Sequence, residues 1–327
     1  MARLIDVAAR AGVSKSTVSN VIRGTALVAE ETRRKVERAI AETGYRPNTI
    51  ARSLQARSGN ALGVIVPDLT NPFFAQLVVG VERAAATSGQ AVLTAHTECT
   101  PAAELAAAYA FLERRVDAVV IGGLSIGASL PGLLLDHGMP VVLAGLGGIE
   151  DPRPGVVDHD TAAAMEAVVR HLYGLGHRRL GFLAHGLREI AGEGRRLAFE
   201  AALARRGLVA VASEAAATAL VAHDDMHAIA AIDRLERAGR RVPEDVSVTG
   251  YDDVPLAAHG RIRLTTVRAD GVEMGRRATE MAIAAVRHGR SAGQRESAGE
   301  SRRIILPSPL IVRASTAAPR RDRGTGA

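Results

Sequence analysis

The chain has 327 residues, of which 47% are hydrophobic and 23% charged, with a formal net charge of +6, one Cys and no Trp. That length exceeds one typical core, so a small domain and a larger one are expected. The lone Cys99 excludes an intrachain disulfide and a Cys-based zinc site, no stretch of eighteen apolar residues offers a membrane span, and no apolar run near Met1 resembles a signal peptide.

The charge is unevenly placed. Residues 2–57 hold eleven Lys or Arg against five acids, a difference equal to the whole net charge. A basic head on a neutral body is the footprint of a nucleic-acid-binding unit joined to something else. The residue order in the head predicts a helix-turn-helix. Leu4, Val7, Ala8 and Ala11 share one helical face, and Gly12 follows where a turn needs positive φ. Ser14 is placed to N-cap a second helix running to about Ile22. Val18, Val21 and Ile22 face inward, which leaves Lys15, Ser16, Thr17, Ser19 and Asn20 outward near its start. Short polar side chains and one Lys at that place suit base edges in the major groove. A third helix is predicted from about Glu30 to Thr43, closed by Val36, Ala39 and Ile40. A three-helix protein-binding module is the alternative reading.

Gly44-Tyr45-Arg46-Pro47 ends the third helix, and residues 48–55 have the length of a two-turn helix. Two turns are unstable alone in water, so this segment orders only on docking. Its DNA-contact candidates are Asn48, Thr49 and Leu54; Leu54 has no core to join and suits an apolar wedge between base steps.

The body opens with the apolar run 61–67. Predicted next are a helix over 75–88, a strand over 91–94, a helix over 102–115, and strands over 118–121 and 140–144. The pattern restarts with a helix over 162–173 and strands over 180–184, 219–222 and 246–250. Continuous apolar strands alternating with helices predict parallel sheets covered on both faces. Two such lobes make a cleft at the carboxyl ends of their strands. Phe73 and Phe74 follow the first strand, where they either cover a ligand or simply pack. Asp224 ends the strand 219–222 and either binds ligand hydroxyls or caps the helix after it. Asp252 and Asp253 end another strand, as ligand contacts or as an Asx-turn. His223 and His227 are four apart and read as one face of a helix start. No phosphate loop, nucleophilic Ser motif or metal-ligand spacing occurs, so the expectation is no enzyme, no cofactor and no metal.

The chain resembles the LacI/GalR family of bacterial transcription regulators. The matching stretches in the head are Ile5-Asp6-Val7-Ala8, Ala11-Gly12-Val13-Ser14, Ser16-Thr17-Val18-Ser19, Glu31-Thr32-Arg33 and Gly44-Tyr45-Arg46-Pro47-Asn48. Those in the body are Asp68-Leu69-Thr70-Asn71-Pro72-Phe73-Phe74, Arg115-Val116-Asp117-Ala118, Leu175-Gly176-His177-Arg178-Arg179, the run 242–248, Gly250-Tyr251-Asp252-Asp253, Leu264-Thr265-Thr266-Val267 and Arg313-Ala314-Ser315-Thr316. The resemblance implies a small all-α helix-turn-helix DNA-binding domain (1–46) and a hinge helix with linker (47–59) whose Leu54 enters the minor groove. These join a two-lobed α/β effector and dimerisation domain (60–316), built like a periplasmic binding protein with parallel sheets. Lobe 1 is expected over 60–159 and 268–296, and lobe 2 over 160–267 and 297–316. Crossovers are expected near Asp160, Tyr251 to Pro255 and Thr265 to Arg268. A disordered tail is expected over 317–327.

The resemblance also implies the effector contacts Phe73, Phe74, Asp224 and Asp252. Departures concentrate there. Only a dozen residues separate Gly207 from the strand at Ala219, so lobe 2 is expected to be shortened near 208–218, where the family carries a further unit and often a sugar-stacking aromatic. Glu193 falls at the family's ligand-binding Arg, with Arg195 and Arg196 beside it. His223 replaces the Asn that usually precedes the Asp, and Ile262-Arg263 stands where Pro-rich residues usually do. The expected function is a cytoplasmic, sequence-specific DNA-binding regulator, a repressor. It binds a near-palindromic double-stranded operator as a homodimer, without a membrane, under control of a small sugar- or nucleoside-like effector. The alternatives are a cytoplasmic sugar-binding protein, or a regulator that has lost small-molecule sensing.

Overall fold

The computed structural model describes residues 2–22, 28–45, 59–125, 129–146, 149, 151–184, 190–291 and 303–320. The chain divides into two compact units, Met1–Ser58 and Gly59–Ala327.

In the first unit, α1 (Leu4–Ala11), α2 (Lys15–Ile22) and α3 (Glu30–Thr43) enclose a small core of Val7, Ala8, Val18, Val21, Val36 and Ala39. Gly12 ends α1 at φ +67°, and Val13 donates its N–H back to the Ala8 carbonyl. An L side chain is strained in that conformation, so a glycine there turns the chain at least cost.

The second unit holds two sheets. The first has β1 (Ala61–Val66), β2 (Ala91–His96), β3 (Ala118–Ile121), β4 (Val141–Ala144), β5 (Gly155–His159) and β10 (Arg303–Leu306). Its order is β10-β5-β4-β3-β1-β2, parallel throughout. The helices α4 (Pro72–Thr87), α5 (Pro101–Glu113), α6 (Leu130–Asp136) and α10 (Gly271–Ser291) belong to this lobe. The central strands β1, β3 and β4 are buried along their whole length, which explains their unbroken apolar runs. The second sheet has β6 (Leu180–Leu183), β7 (Ala219–Ala222), β8 (Ser247–Asp252), β9 (Thr265–Arg268) and β11 (Leu310–Ile311) in the order β11-β9-β8-β7-β6. Only β11 runs antiparallel, against β9. Helices α7 (Thr161–Gly174), α8 (Ile190–Ala204) and α9 (Asp225–Arg237) belong to it. No helix among the described residues is long and apolar enough to cross a membrane.

The chain crosses between lobes at Asp160, at residues 269–270 and at residues 307–309, between the strands that flank each point. Two expectations are corrected. Residues 251–255 are not a crossover, because Asp252 (φ +105°) and Asp253 (φ +56°) turn the chain back and the Val254 N–H is held by Asp225 Oδ2 at 2.8 Å. Residues 303–306, expected in lobe 2, pair with Val156 to His159 and so extend the first sheet. The tail also keeps contacts past 317: Ser247 Oγ accepts the Ala317 N–H at 3.0 Å, and Arg320 pairs with Asp245 at 2.6 Å. Between α8 and β7, residues 205–218 form neither helix nor strand. They cross directly, with the Val211 N–H on the Leu180 carbonyl at 2.8 Å.

Candidate functional sites: recognition helix and interlobe cleft

The start of α2 is built by Ser14. Its Oγ accepts the Thr17 N–H at 3.1 Å and lies 2.6 Å and 2.9 Å from the Ser16 and Thr17 hydroxyls. This satisfies one of the free donors at the helix start and fixes the first turn. Val18 and Val21 are buried, so the opposite face is turned outward: Lys15 and Ser16 are exposed, and Thr17, Ser19 and Asn20 are half-buried. An ion pair of 2.6 Å between Arg10 and Glu42 ties α1 to α3 behind it. Asn48, Thr49 and Leu54 lie outside the described residues.

Between the lobes of the second unit lies a cavity of about 480 Å³. All four expected effector residues, Phe73, Phe74, Asp224 and Asp252, line it. Asn71 N-caps α4 by accepting the Phe73 N–H at 3.0 Å, which places Phe73 and Phe74 on the first turn, edge to face with centroids 5.3 Å apart. Phe73 is buried and belongs to the core, while Phe74 is half-buried.

Asp224 serves as helix cap and cleft residue together. Oδ1 accepts the His227 N–H at 2.7 Å, and His227 Nδ1 lies 2.7 Å from the same oxygen. Oδ2 accepts Asn71 Nδ2 at 3.2 Å, a bond from one lobe to the other. Burial opposes ionisation of Asp224, but the hydrogen bonds of His227 and the charges of His223 and His227 hold its pKa at about 2. Its neighbour Asp225 points away from the cleft and is fully buried. It accepts Thr266 Oγ1 at 2.5 Å and the Val254 N–H, and burial pushes it up to about 7.

Asp252 reaches the cleft through its left-handed backbone and faces Arg195 Nη2 at 3.5 Å. Arg195 also donates Nη1 to the His223 carbonyl at 2.8 Å and lies 3.9 Å over the buried Tyr251 ring. Of the residues at the family's Arg position, Glu193 pairs with Arg196, which also pairs with Glu200, and Arg195 is the one that lines the cleft. The helix period carries that signal, since Arg195 precedes the buried Phe199 and Ala202 by four and seven residues. Asp253 does not line the cavity; it pairs with Arg313 at 2.6 Å and Arg268 at 2.7 Å. Asn71, Asp158, His159, Tyr251 and Arg303 also line the cleft and were not expected there.

A second bridge joins the lobes. The Ile190 N–H at the start of α8 donates to the Leu124 carbonyl at 3.1 Å. Ile190 and Ala191 pack against the core of the first lobe. The loop bearing Leu124 is held by the buried Glu104, which accepts the Ser125 N–H at 2.6 Å and its hydroxyl at 2.9 Å.

The sequence profile of the bacterial regulatory proteins of the lacI family matches residues 3–48. The profile of periplasmic binding proteins and the sugar binding domain of the LacI family matches 59–218, and that of the periplasmic binding protein-like domain matches 169–316. The HTH-type transcriptional regulator CelR of Thermobifida fusca is 31% identical, covering 94% of this chain and 96% of that protein. The HTH-type transcriptional repressor PurR of Photobacterium profundum is 29% identical over 96% of this chain and 98% of its own. Among solved structures, a transcriptional regulator CelR-cellobiose complex superposes with TM-score 0.68 and 28% identity, covering 96% of this chain and all of that one. On the helix-turn-helix, the two-lobed body and these relatives together, the chain belongs to the LacI/GalR family of bacterial transcription regulators.

Proposed function

We propose that the protein is a homodimeric transcriptional repressor that binds a near-palindromic operator and is controlled by a small polar effector in the interlobe cleft. One observation carries this: a single chain joins a Ser-capped, basic helix-turn-helix to a body with an interlobe cleft of about 480 Å³ that holds both charged and aromatic side chains. That volume lies in the range of small-molecule sites. Lys15, Ser16, Thr17, Ser19 and Asn20 are the base-reading candidates, and Asn48, Thr49 and Leu54 the hinge contacts. One short recognition helix reads too few base pairs for high specificity, and two-fold pairing doubles the site. The preserved cleft supports sensing over its loss. Its carboxylates are engaged as caps and ion-pair partners, which supports binding over catalysis, and a chain that works on DNA belongs in the cytoplasm. CelR is known as a complex with cellobiose, which supports a sugar-like effector here.

Selection of binding sites from random DNA with the purified protein is the test. The expected outcome is an inverted repeat bound far more tightly than its half-site. Asn20→Ala should relax preference at one or two positions of each half, at a cost of ~1–3 kcal/mol per lost contact. Equal affinity for half-site and full site, or an unchanged motif for Asn20→Ala, defeats the corresponding part.

A further inference from the structure

Resting on the effector reading above, we propose that His159 is a ligand-contacting, specificity-determining residue whose imidazole hydrogen-bonds an uncharged polyhydroxy effector, and that the cleft rejects the corresponding acid or phosphate.

His159 is the last residue of β5, at the carboxyl end of the first sheet, immediately before the crossover at Asp160. It lines the cleft and is only 5% exposed. Its backbone N–H is held by Asp158 Oδ1 at 2.8 Å, which fixes the residue at the wall of the cavity. Among the described residues, its ring Nε2 has no hydrogen-bond partner. A buried ring nitrogen left without a partner costs free energy that a structural role would not require. A ligand that brings the missing partner removes the cost, and that is what a binding residue gains by waiting unpaired. The ring is kept uncharged: burial and the nearby Arg195 lower its pKa to about 4. A neutral imidazole offers one donor and one acceptor, the pairing a hydroxyl can meet from either side.

The charges around it decide the class of ligand. Among the described residues, Asp158, Asp160, Asp224 and Asp252 line the cavity against Arg195 and Arg303. The two cations are already engaged. Arg195 faces Asp252 and the Tyr251 ring, and Arg303 lies 3.8 Å from Asp158. A carboxylate or phosphate entering this cleft meets a surplus of like charge, and to win a guanidinium it must break an ion pair to a buried aspartate. Hydroxyl groups bring no such penalty.

The test uses the full-length protein, wild type and with His159→Leu or His159→Gln. The first readout needs no ligand. Replacing an unpaired buried nitrogen by an apolar side chain of similar reach should leave the melting temperature of His159→Leu equal to or above wild type; a fall of several degrees would show a structural role and overturn the assignment. The second readout is calorimetry and thermal shift with matched sets: glucose, glucuronate and glucose 6-phosphate; ribose and ribose 5-phosphate; inosine and its 5′-phosphate; cellobiose. The expected result is a response to a neutral member, about tenfold or more weaker for its acid or phosphate. His159→Leu should lose about tenfold in affinity, with part of it returned by His159→Gln, whose amide reaches the Nε2 position. A preference for the anionic partner, or equal affinity in His159→Leu, would overturn the proposal while leaving effector control in place. No response in the wild type to any member would remove the effector reading itself, and this assignment with it.

Discussion

Arg195 shows how one side chain can organise a wall of the cleft. It sits 12% exposed between the end of β7, through the His223 carbonyl, and the end of β8, through Asp252 and Tyr251. Arg195→Met should therefore do more than weaken a ligand. It removes the guanidinium 3.5 Å from the buried Asp252, and breaking a buried pair costs about 3 kcal/mol. Urea unfolding at neutral pH should show that loss; a variant as stable as wild type would mean that water replaces the guanidinium. Asp225 gives a test of opposite sign. Its folded pKa is raised from 3.8 to about 7, so the folded state holds a proton that the unfolded state releases between those values. The penalty for ionising it in place is present above pH 7 and disappears as pH falls to about 4. Asp225→Asn keeps both hydrogen bonds by offering its oxygen to Val254 and its amide to Thr266. It should be more stable than wild type at pH 8, with the difference closing by pH 4. His159 changes stability in the opposite direction as pH falls from 6.5 to about 4, but it is common to both proteins and drops out of the difference. A constant difference across that range would show that Asp225 is not the titrating group. Asp224, Asp252, Phe73 and Phe74 were legible because they follow apolar runs at strand ends. Arg195 and His159 were not, since three charged residues crowd the family's Arg position and only the fold shows which of them faces the cleft, and an unpredicted strand hid His159.

At the scale of elements, unbroken apolar strands and long periodic helices were the readable ones. The strand over 118–121 and the helix from Glu30 to Thr43 fall where the apolar runs and the helix period put them. Strands whose apolar runs are diluted by polar residues were missed: the interior strand β5 carries Asp158 and His159, and the edge strands β10, with Arg303, and β11 are only partly buried. The lobe assignment of 303–306 failed for the same reason, because the pairing of Arg303 with Val156 spans 147 residues of chain and leaves no local signal. The pairing of α4 with α10 also escaped pattern reading, although its cause is in the sequence. A Cβ on Gly80 would lie 2.1 Å from the Val272 carbonyl oxygen, and one on Gly275 would lie 2.1 Å from that of Leu77. These glycines let two helix backbones touch. Gly80→Ala should push α10 outward and destabilise the body by about 1–3 kcal/mol. Adding Gly275→Ala should cost less than twice as much, because the first substitution has already separated the helices. Full additivity in thermal or urea unfolding would argue for two independent clashes.

For the whole molecule, control of DNA binding by an effector is a difference in free energy between two lobe arrangements, and a ligand shifts it only through unequal affinity for the two. In this structure the lobes are joined across the cleft mouth by Asn71 Nδ2 on Asp224 Oδ2 and by the Ile190 N–H on the Leu124 carbonyl. Asp224 also lines the cavity, so an effector that displaced Asn71 from its Oδ2 would open this bond. On the effector reading proposed above, such displacement would be a direct route from occupancy to lobe geometry. Asn71→Ser separates the two roles of this residue. A serine Oγ still caps α4 through the Phe73 N–H but is too short to reach the other lobe. The head is untouched, so affinity for random DNA should not change. The ratio of operator affinities with and without saturating effector should move by about threefold to tenfold, the worth of one hydrogen bond. Fluorescence anisotropy on operator and random duplexes at one salt concentration measures both quantities. An unchanged ratio would mean that the Asn71–Asp224 bond has the same strength in both lobe arrangements, and would shift attention to other interlobe contacts, such as the Ile190 N–H on the Leu124 carbonyl.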